Sequence, residues 1–125
     1  MHTDLEKMQA VISSVRTIRA EIKASVNDPI RLSDLGIKAI TLNSYLGDYL
    51  GELKHEYETT RSESFYGHYA DKPSIAYAEN LTRCDTAELR GRIAQVETLH
   101  KDIERIVSTI QTKIRILEAQ MKGAV

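Results

Sequence analysis

Between Leu89 and Met121 the chain carries apolar residues at Leu89, Ile93, Val96, Leu99, Ile103, Ile106, Ile110, Ile114, Leu117 and Met121, with no proline in between. The steps are threes and fours, the spacing of one face of an α-helix. Charged residues fill the opposite face. A helix with such a stripe must bury it against other helices, so this stretch commits the chain to an all-helical architecture.

Two further stripes supply the partners. Thr3 and Glu6 have capping-box spacing ahead of Leu5, Met8, Ile12, Val15, Ile18, Ile22 and Val26. This predicts a first helix over about 3–27, stopped by Asn27-Asp28-Pro29, because the residue before a proline resists the helical region. Asp28 as N-cap and Pro29 in the first turn open a second helix over about 29–69. Its stripe is Leu32, Leu35, Ala39, Leu42, Leu46, Tyr49 and Leu53, continued by Glu56 or Tyr57, Thr60, Ser64 and Gly67, mostly small or polar. A turn at Gly67 to Pro73 precedes a third helix over about 73–122, started by Pro73 or Ser74. In that helix the pattern is weak through Ile75, Ala78, Leu81 and Cys84, then strong from Leu89. Gly36, Gly47 and Gly51 each weaken the second helix by up to about 1 kcal/mol relative to alanine.

The lengths are unequal. At about 1.5 Å per residue the second and third helices run to roughly 60 and 75 Å, the first to under 40 Å. Short connections make neighbours antiparallel. The expected fold is therefore all-α: a long antiparallel, coiled-coil-like hairpin plus one shorter N-terminal helix, a three-helix base within a single domain of residues 1–125. Beyond the base, a two-helix arm runs from about Leu53 to the turn and back to about Gly91. A bare two-helix arm buries little, so a homo-oligomer or a protein partner is expected to cover it.

Bulk properties exclude some classes. The net charge of −1 removes the simplest argument for nucleic-acid binding, a strongly basic chain. The single cysteine, Cys84, leaves no internal disulfide and suits a reducing, cytoplasmic compartment. On its position in the weak stripe, Cys84 is expected on the inner face as a buried thiol. Met1 to Ala10 is polar and mixed, so no leader is expected, and no stretch approaches the ~20 apolar residues of a membrane span.

Candidate chemistry is sparse. Glu52 and His55, and Glu97 and His100, are E-x-x-H pairs like those of carboxylate-bridged di-iron bundles. Yet Tyr49 and Leu53 face inward in one helix and Val96 and Leu99 in the other, which leaves both pairs beside the seam. The hairpin also sets them more than about 10 Å out of register. Solvated helix faces explain them. Glu52, Glu56, Glu58 and Glu63 with Asp85 and Glu88 lack the paired carboxylate spacing of all-helical nucleotide pyrophosphatases, and Lys54, Arg61 and Arg83 offset them. No Ser-His-Asp or Cys-His set is argued, and no glycine-rich phosphate loop is present. Neither a catalytic residue, a metal ligand nor a cofactor is expected.

The arm is rich in tyrosine instead. Tyr45, Tyr49, Tyr57, Phe65, Tyr66, Tyr69 and Tyr77 lie in or near it, interleaved with Arg61, His68, Lys72 and Arg83. The simplest reading is that Tyr45, Tyr49 and Tyr57 fill the seam. The functional reading makes Tyr57, Arg61, Phe65, Tyr66, His68, Tyr69, Lys72, Tyr77 and Arg83 a contact surface, for a partner protein or for single-stranded DNA or a nucleotide, because aromatics with cations stack bases and hold phosphates.

Tyr57, Arg61, Glu63, Phe65 and Tyr66, then Ser74, Ile75, Ala76, Ala78, Glu79 and Arg83, followed by the leucine and isoleucine run, resemble small helical-hairpin proteins of phage and prophage genomes, often encoded beside recombination or replication genes. The resemblance covers roughly the second half of the chain, and Gly67 and Pro73 punctuate the hairpin more sharply than that group does. It implies a non-enzymatic accessory protein of DNA recombination or replication acting through a two-helix arm. An oligomeric nucleotide-sequestering protein and, further off, a metal-dependent enzyme on the acidic face are the alternatives.

Overall fold

The structure, a computed structural model of the chain, describes residues 4–123, with side chains from Glu6 onward. Thr3, half of the expected capping box, and the side chain of Leu5 lie outside the described residues. Among those described there are helices and no strand: α1 (Asp4–Ala24), α2 (Pro29–Asp71), α3 (Ile75–Asp85) and α4 (Ala87–Gly123). The all-α fold expected from the stripes is the fold observed.

The chain divides into two compact units. One holds the chain up to Tyr45 and from Leu99 onward, the other Leu46–Thr98. The first contains α1, the start of α2 and the end of α4, the three elements expected in the base. The second contains the end of α2, α3 and the start of α4, three helical segments where an arm of two was expected. The division falls at Leu46 and Thr98 rather than near Leu53 and Gly91.

In the first unit the core is built by Met8, Val11, Val15, Ile18 and Ile22 of α1, Leu32, Leu35 and Ala39 of α2, and Ile103, Ile106 and Ile110 of α4, all buried. Each set repeats at three and four residues, so burial follows the stripes in their middle, while Val11 is buried where Ile12 was expected and the stripe ends Val26 and Met121 are exposed. Gly36 is buried in this core, where an added Cβ would lie 3.5 Å from Ile110 Cγ2, an ordinary van der Waals contact. Ion pairs rim the core: Arg31 donates to Glu21, and Arg19 lies 3.8 Å from Asp102. Exposed pairs of this kind contribute at most about 1 kcal/mol each, so the stripes hold the unit together. The link from α1 to α2 follows the expected chemistry. Asp28 Oδ1 accepts from the Arg31 amide at 3.0 Å, and Pro29 is the first residue of α2. α1 ends at Ala24, three residues before the expected stop, and α2 continues two residues past the expected end.

The second unit is packed differently. Leu46 and Leu53 on α2, Ala78 on α3 and Val96 on α4 are its buried apolar residues, and Thr82 and Thr86 are buried with them. Thr60 and Ser64 of α2 are half-buried. The seam is thus lined by small and hydroxylated side chains, with Ala78, Thr82 and Thr86 repeating at every fourth residue. Small residues let two helix backbones approach closely, and their hydroxyls find partners locally: Thr86 Oγ1 donates to the Thr82 carbonyl at 2.9 Å.

Two expectations are corrected here. The third helix is not continuous from 73 to 122: it is interrupted at Thr86, whose φ of −100° and ψ of 1° depart from helical values. The Thr86 hydroxyl bonds the carbonyl four residues back, as those of Thr17, Thr41 and Thr98 do inside unbroken helices, so that bond alone does not set the interruption. Arg90 Nη2 donates to the Arg83 carbonyl at 2.7 Å, across the interruption. Of the two expected starts, Pro73 and Ser74, it is Ser74 that caps α3, accepting from the Tyr77 amide at 3.3 Å. Cys84, expected on the inner face, is exposed. The expected stripe of Ile75, Ala78, Leu81 and Cys84 advances by threes, and each such step falls about 60° short of a full turn. The buried face follows the fourfold steps of Ala78, Thr82 and Thr86, which carries both Ile75 and Cys84 to solvent.

Candidate functional site

The second unit carries an open groove of about 640 Å³, lined by Tyr57, Arg61, Ser62, Phe65 and Tyr66 of α2, Glu79, Thr82 and Arg83 of α3, Thr86 at the interruption, and Arg90 of α4. The α2 wall follows from helical spacing. Tyr57, Arg61 and Phe65 stand four residues apart and share one face, while Ser62 and Tyr66, one position on, carry the lining about half a turn around α2 from Tyr57. The opposite wall follows from the small seam. Ala78, Thr82 and Thr86 bring α3 close to α2, and Glu79 and Arg83, each one position beyond a seam residue, rise along the groove's edge.

The electrostatics of the groove are positive. Three guanidinium groups face the single carboxylate of Glu79 among the lining residues. Arg61 Nη2 donates to Glu58 at 2.9 Å, which holds the guanidinium above its ordinary pKa through that hydrogen bond and the charge of Glu58. Arg90 donates to a neutral carbonyl and so keeps its charge uncompensated. Among the described residues Arg83 has no acidic partner. Tyr57 and Phe65 are half-buried, whereas Tyr66 is 71 % exposed. The Phe65 ring meets Tyr66 edge-on at 5.7 Å and stacks on Tyr69 at 6.1 Å, so Phe65 supports the rings on either side of it.

Of the nine expected contact residues, Tyr57, Arg61, Phe65, Tyr66 and Arg83 are brought together here. Tyr69 stacks behind Phe65 and does not line the groove. His68, Lys72 and Tyr77 form a separate cluster, with the His68 ring edge-on to Tyr77 at 6.3 Å and Lys72 Nζ 5.1 Å from its centroid. Tyr45, expected to fill the seam, is 41 % exposed. Arg90, Ser62, Thr82 and Thr86 were not anticipated. Arg90 had a legible signal, since it follows Arg83 by seven residues, two turns on the same face.

The hairpin also assembles Ser64, His68 and Asp85, but not in the order that activates a nucleophile. Ser64 Oγ donates to Asp85 Oδ2 at 2.7 Å, and His68 Nε2 lies 2.8 Å from the same oxygen. The carboxylate stands between hydroxyl and imidazole, so the histidine cannot take the serine proton. The arrangement is a polar clasp between α2 and the end of α3. The Asp85 carboxyl is held below its ordinary pKa, first by the hydrogen bond from His68 and then by that from Ser64. A folded-state pKa below the unfolded one gives stability that is present above the ordinary carboxylate range and lost as pH falls through the lowered value. Amide protection over residues 64–86, taken relative to intrinsic exchange at each pH, should therefore fall below about pH 4 in the wild type, with a smaller acid-induced fall in Asp85→Asn. Identical acid profiles for the two proteins would show that the clasp contributes nothing.

The other candidate clusters are dispersed. Glu52 and His55 are exposed, Glu97 lies 3.8 Å from Lys54, and His100 Nε2 lies 3.3 Å from Glu104. Glu88 accepts from Arg92 at 2.9 Å. Among the described residues no three His, Cys, Asp or Glu side chains are grouped to hold a metal ion, and no helix is long and apolar enough to cross a membrane.

No protein-family model matches the chain, and comparison with curated proteins and with solved structures found no similar protein.

Proposed function

We propose that this chain is a non-enzymatic interaction protein and that the groove of its second unit docks an anionic partner. One observation carries the reading: Arg61, Arg83 and Arg90 converge with three aromatic rings on one groove that holds a single carboxylate, in a chain whose net charge is −1. Positive charge concentrated on one face of a neutral protein steers anions to that face. Arginine suits the task because its planar fork matches phosphate and carboxylate geometry and stacks on rings. The resemblance of the arm to phage and prophage accessory proteins fits such a role beside recombination or replication genes. A reducing, cytoplasmic setting goes with it, since Cys84 is an exposed free thiol. A nucleotide-sequestering role fits less well, because a small-ligand site encloses ~70–90 % of its occupant and Tyr66 stands largely in solvent.

Inorganic polyphosphate is the probe. In residue-resolved NMR titration at low salt, amides and side chains of Tyr57, Arg61, Tyr66, Arg83 and Arg90 should shift together, and Arg61→Ala/Arg83→Ala/Arg90→Ala should abolish the shifts. Shifts centred on the unit that contains α1, or unaltered by the triple substitution, would show that the groove is not the docking face.

A further inference from the structure

We infer that the occupant of this groove is a short run of single-stranded nucleic acid, with bases stacked on Tyr57 and Tyr66 and phosphates held by Arg83 and Arg90. This rests on the reading of the groove as the docking face and identifies what docks there. Tyr57 and Tyr66 are nine residues apart on α2, about 13 Å along the helix and half a turn around it, so they stand at the two edges of the α2 wall with Arg61 and Phe65 between them. Arg83 and Arg90 stand on the facing wall. The groove thus presents rings on one side and guanidinium groups on the other, the pairing that grips a single strand by its bases and backbone together.

The other anionic occupants use less of what is present. An acidic peptide would satisfy the arginines and leave the Tyr66 ring, 71 % exposed, with no planar group to cover it. A duplex keeps its bases stacked on one another and offers no free face to a ring. Glu79 adds an acceptor at the rim, a partner for the N–H donors that bases carry (the ring N3–H of thymine and uracil, the amino groups of the others) and that phosphate and carboxylate lack.

The test is fluorescence anisotropy of the full-length chain with labelled oligo(dT) and oligo(U) of about twelve nucleotides, with a matched duplex and an oligoglutamate peptide as competitors. Wild type should bind both single strands, with a log–log salt slope of roughly −1.4 for the two phosphates held by Arg83 and Arg90. Tyr66→Ala should weaken binding about tenfold with the salt slope unchanged, the effect of one lost stack, and Tyr66→Phe should retain it. Arg83→Ala should weaken binding and make the slope shallower by about 0.7. Circular dichroism controls for folding, and both residues are exposed. If oligoglutamate or the duplex competes as well as the single strand, or Tyr66→Ala binds like wild type, the nucleic-acid assignment falls while the polyphosphate result leaves the groove as a docking face. If neither polyphosphate nor any oligomer binds at the groove, both readings fall.

Discussion

Replacing Leu35 with alanine is expected to destabilise the three-helix unit by roughly 2–5 kcal/mol, lowering its thermal midpoint by about 10–20 °C. Leu35 is fully buried, as is Leu32 one turn before it. The neighbouring position is Gly36, itself buried near Ile110, which brings no side chain of its own to fill the space. The lost methyl groups therefore leave a cavity, and the cost combines lost transfer energy with that cavity. Ile37, two residues on, is the control. It is 62 % exposed, and Ile37→Ala should change stability by no more than about 0.5 kcal/mol. Urea and thermal unfolding of the two variants beside wild type measure the difference. Equal stability of Leu35→Ala and Ile37→Ala would mean that α2 does not present this stripe to α1 and α4.

The second large effect is in the other unit and has the opposite sign of volume. Ala78 is fully buried in a seam whose other members are Thr82, Thr86, Ser64 and Thr60. Ala78→Leu inserts three carbons where two backbones meet, and overpacking of this kind costs roughly 1–3 kcal/mol, occasionally more. It should also displace α3 from α2, because Thr82, Thr86, Ser64 and Thr60 are too short to yield to a larger neighbour. Arg83 and Glu79 sit one position from the seam, so the polyphosphate shifts expected at Arg83 should disappear with the packing. Amide exchange should quicken in α3 and over residues 57–68 of α2, while the core of the unit containing α1 stays protected. Ile75→Leu, at a 61 % exposed position on the same helix, should do none of this. An Ala78→Leu protein as protected as wild type, still binding polyphosphate, would sink the small-residue seam as the organiser of the groove.

Much of the helical layout was legible because it depends on local rules. The Asp28-Pro29 start, the Ser74 cap and the stripes of α1, early α2 and late α4 are set by side chains a few residues apart, where spacing and burial agree. The groove was half legible. Tyr57, Arg61 and Phe65 are close in sequence and fall on one face by helical arithmetic alone, whereas Tyr66 lies half a turn around α2 from Tyr57 and joins them only at the groove's edge. Which of the expected contacts face across to them depended on the rotation of α3, and there spacing misled: a run of three-residue steps put Cys84 inside and gave no reason to choose Arg83 with Arg90 over Lys72 with Tyr77.

The amino-acid sequence by itself determined that the chain is helical, where α1 and α2 part, and which stripes make the three-helix core, because each of these is decided by contacts within a turn or two or by apolar area that has no other place to go. Only the tertiary structure decided the phase of α3, the interruption at Thr86 and the convergence of three arginines on the tyrosine face. Those depend on how closely two backbones approach through Ala78, Thr82 and Ser64. Small hydroxylated side chains carry too weak a hydrophobic signal to declare that distance before the chains have met.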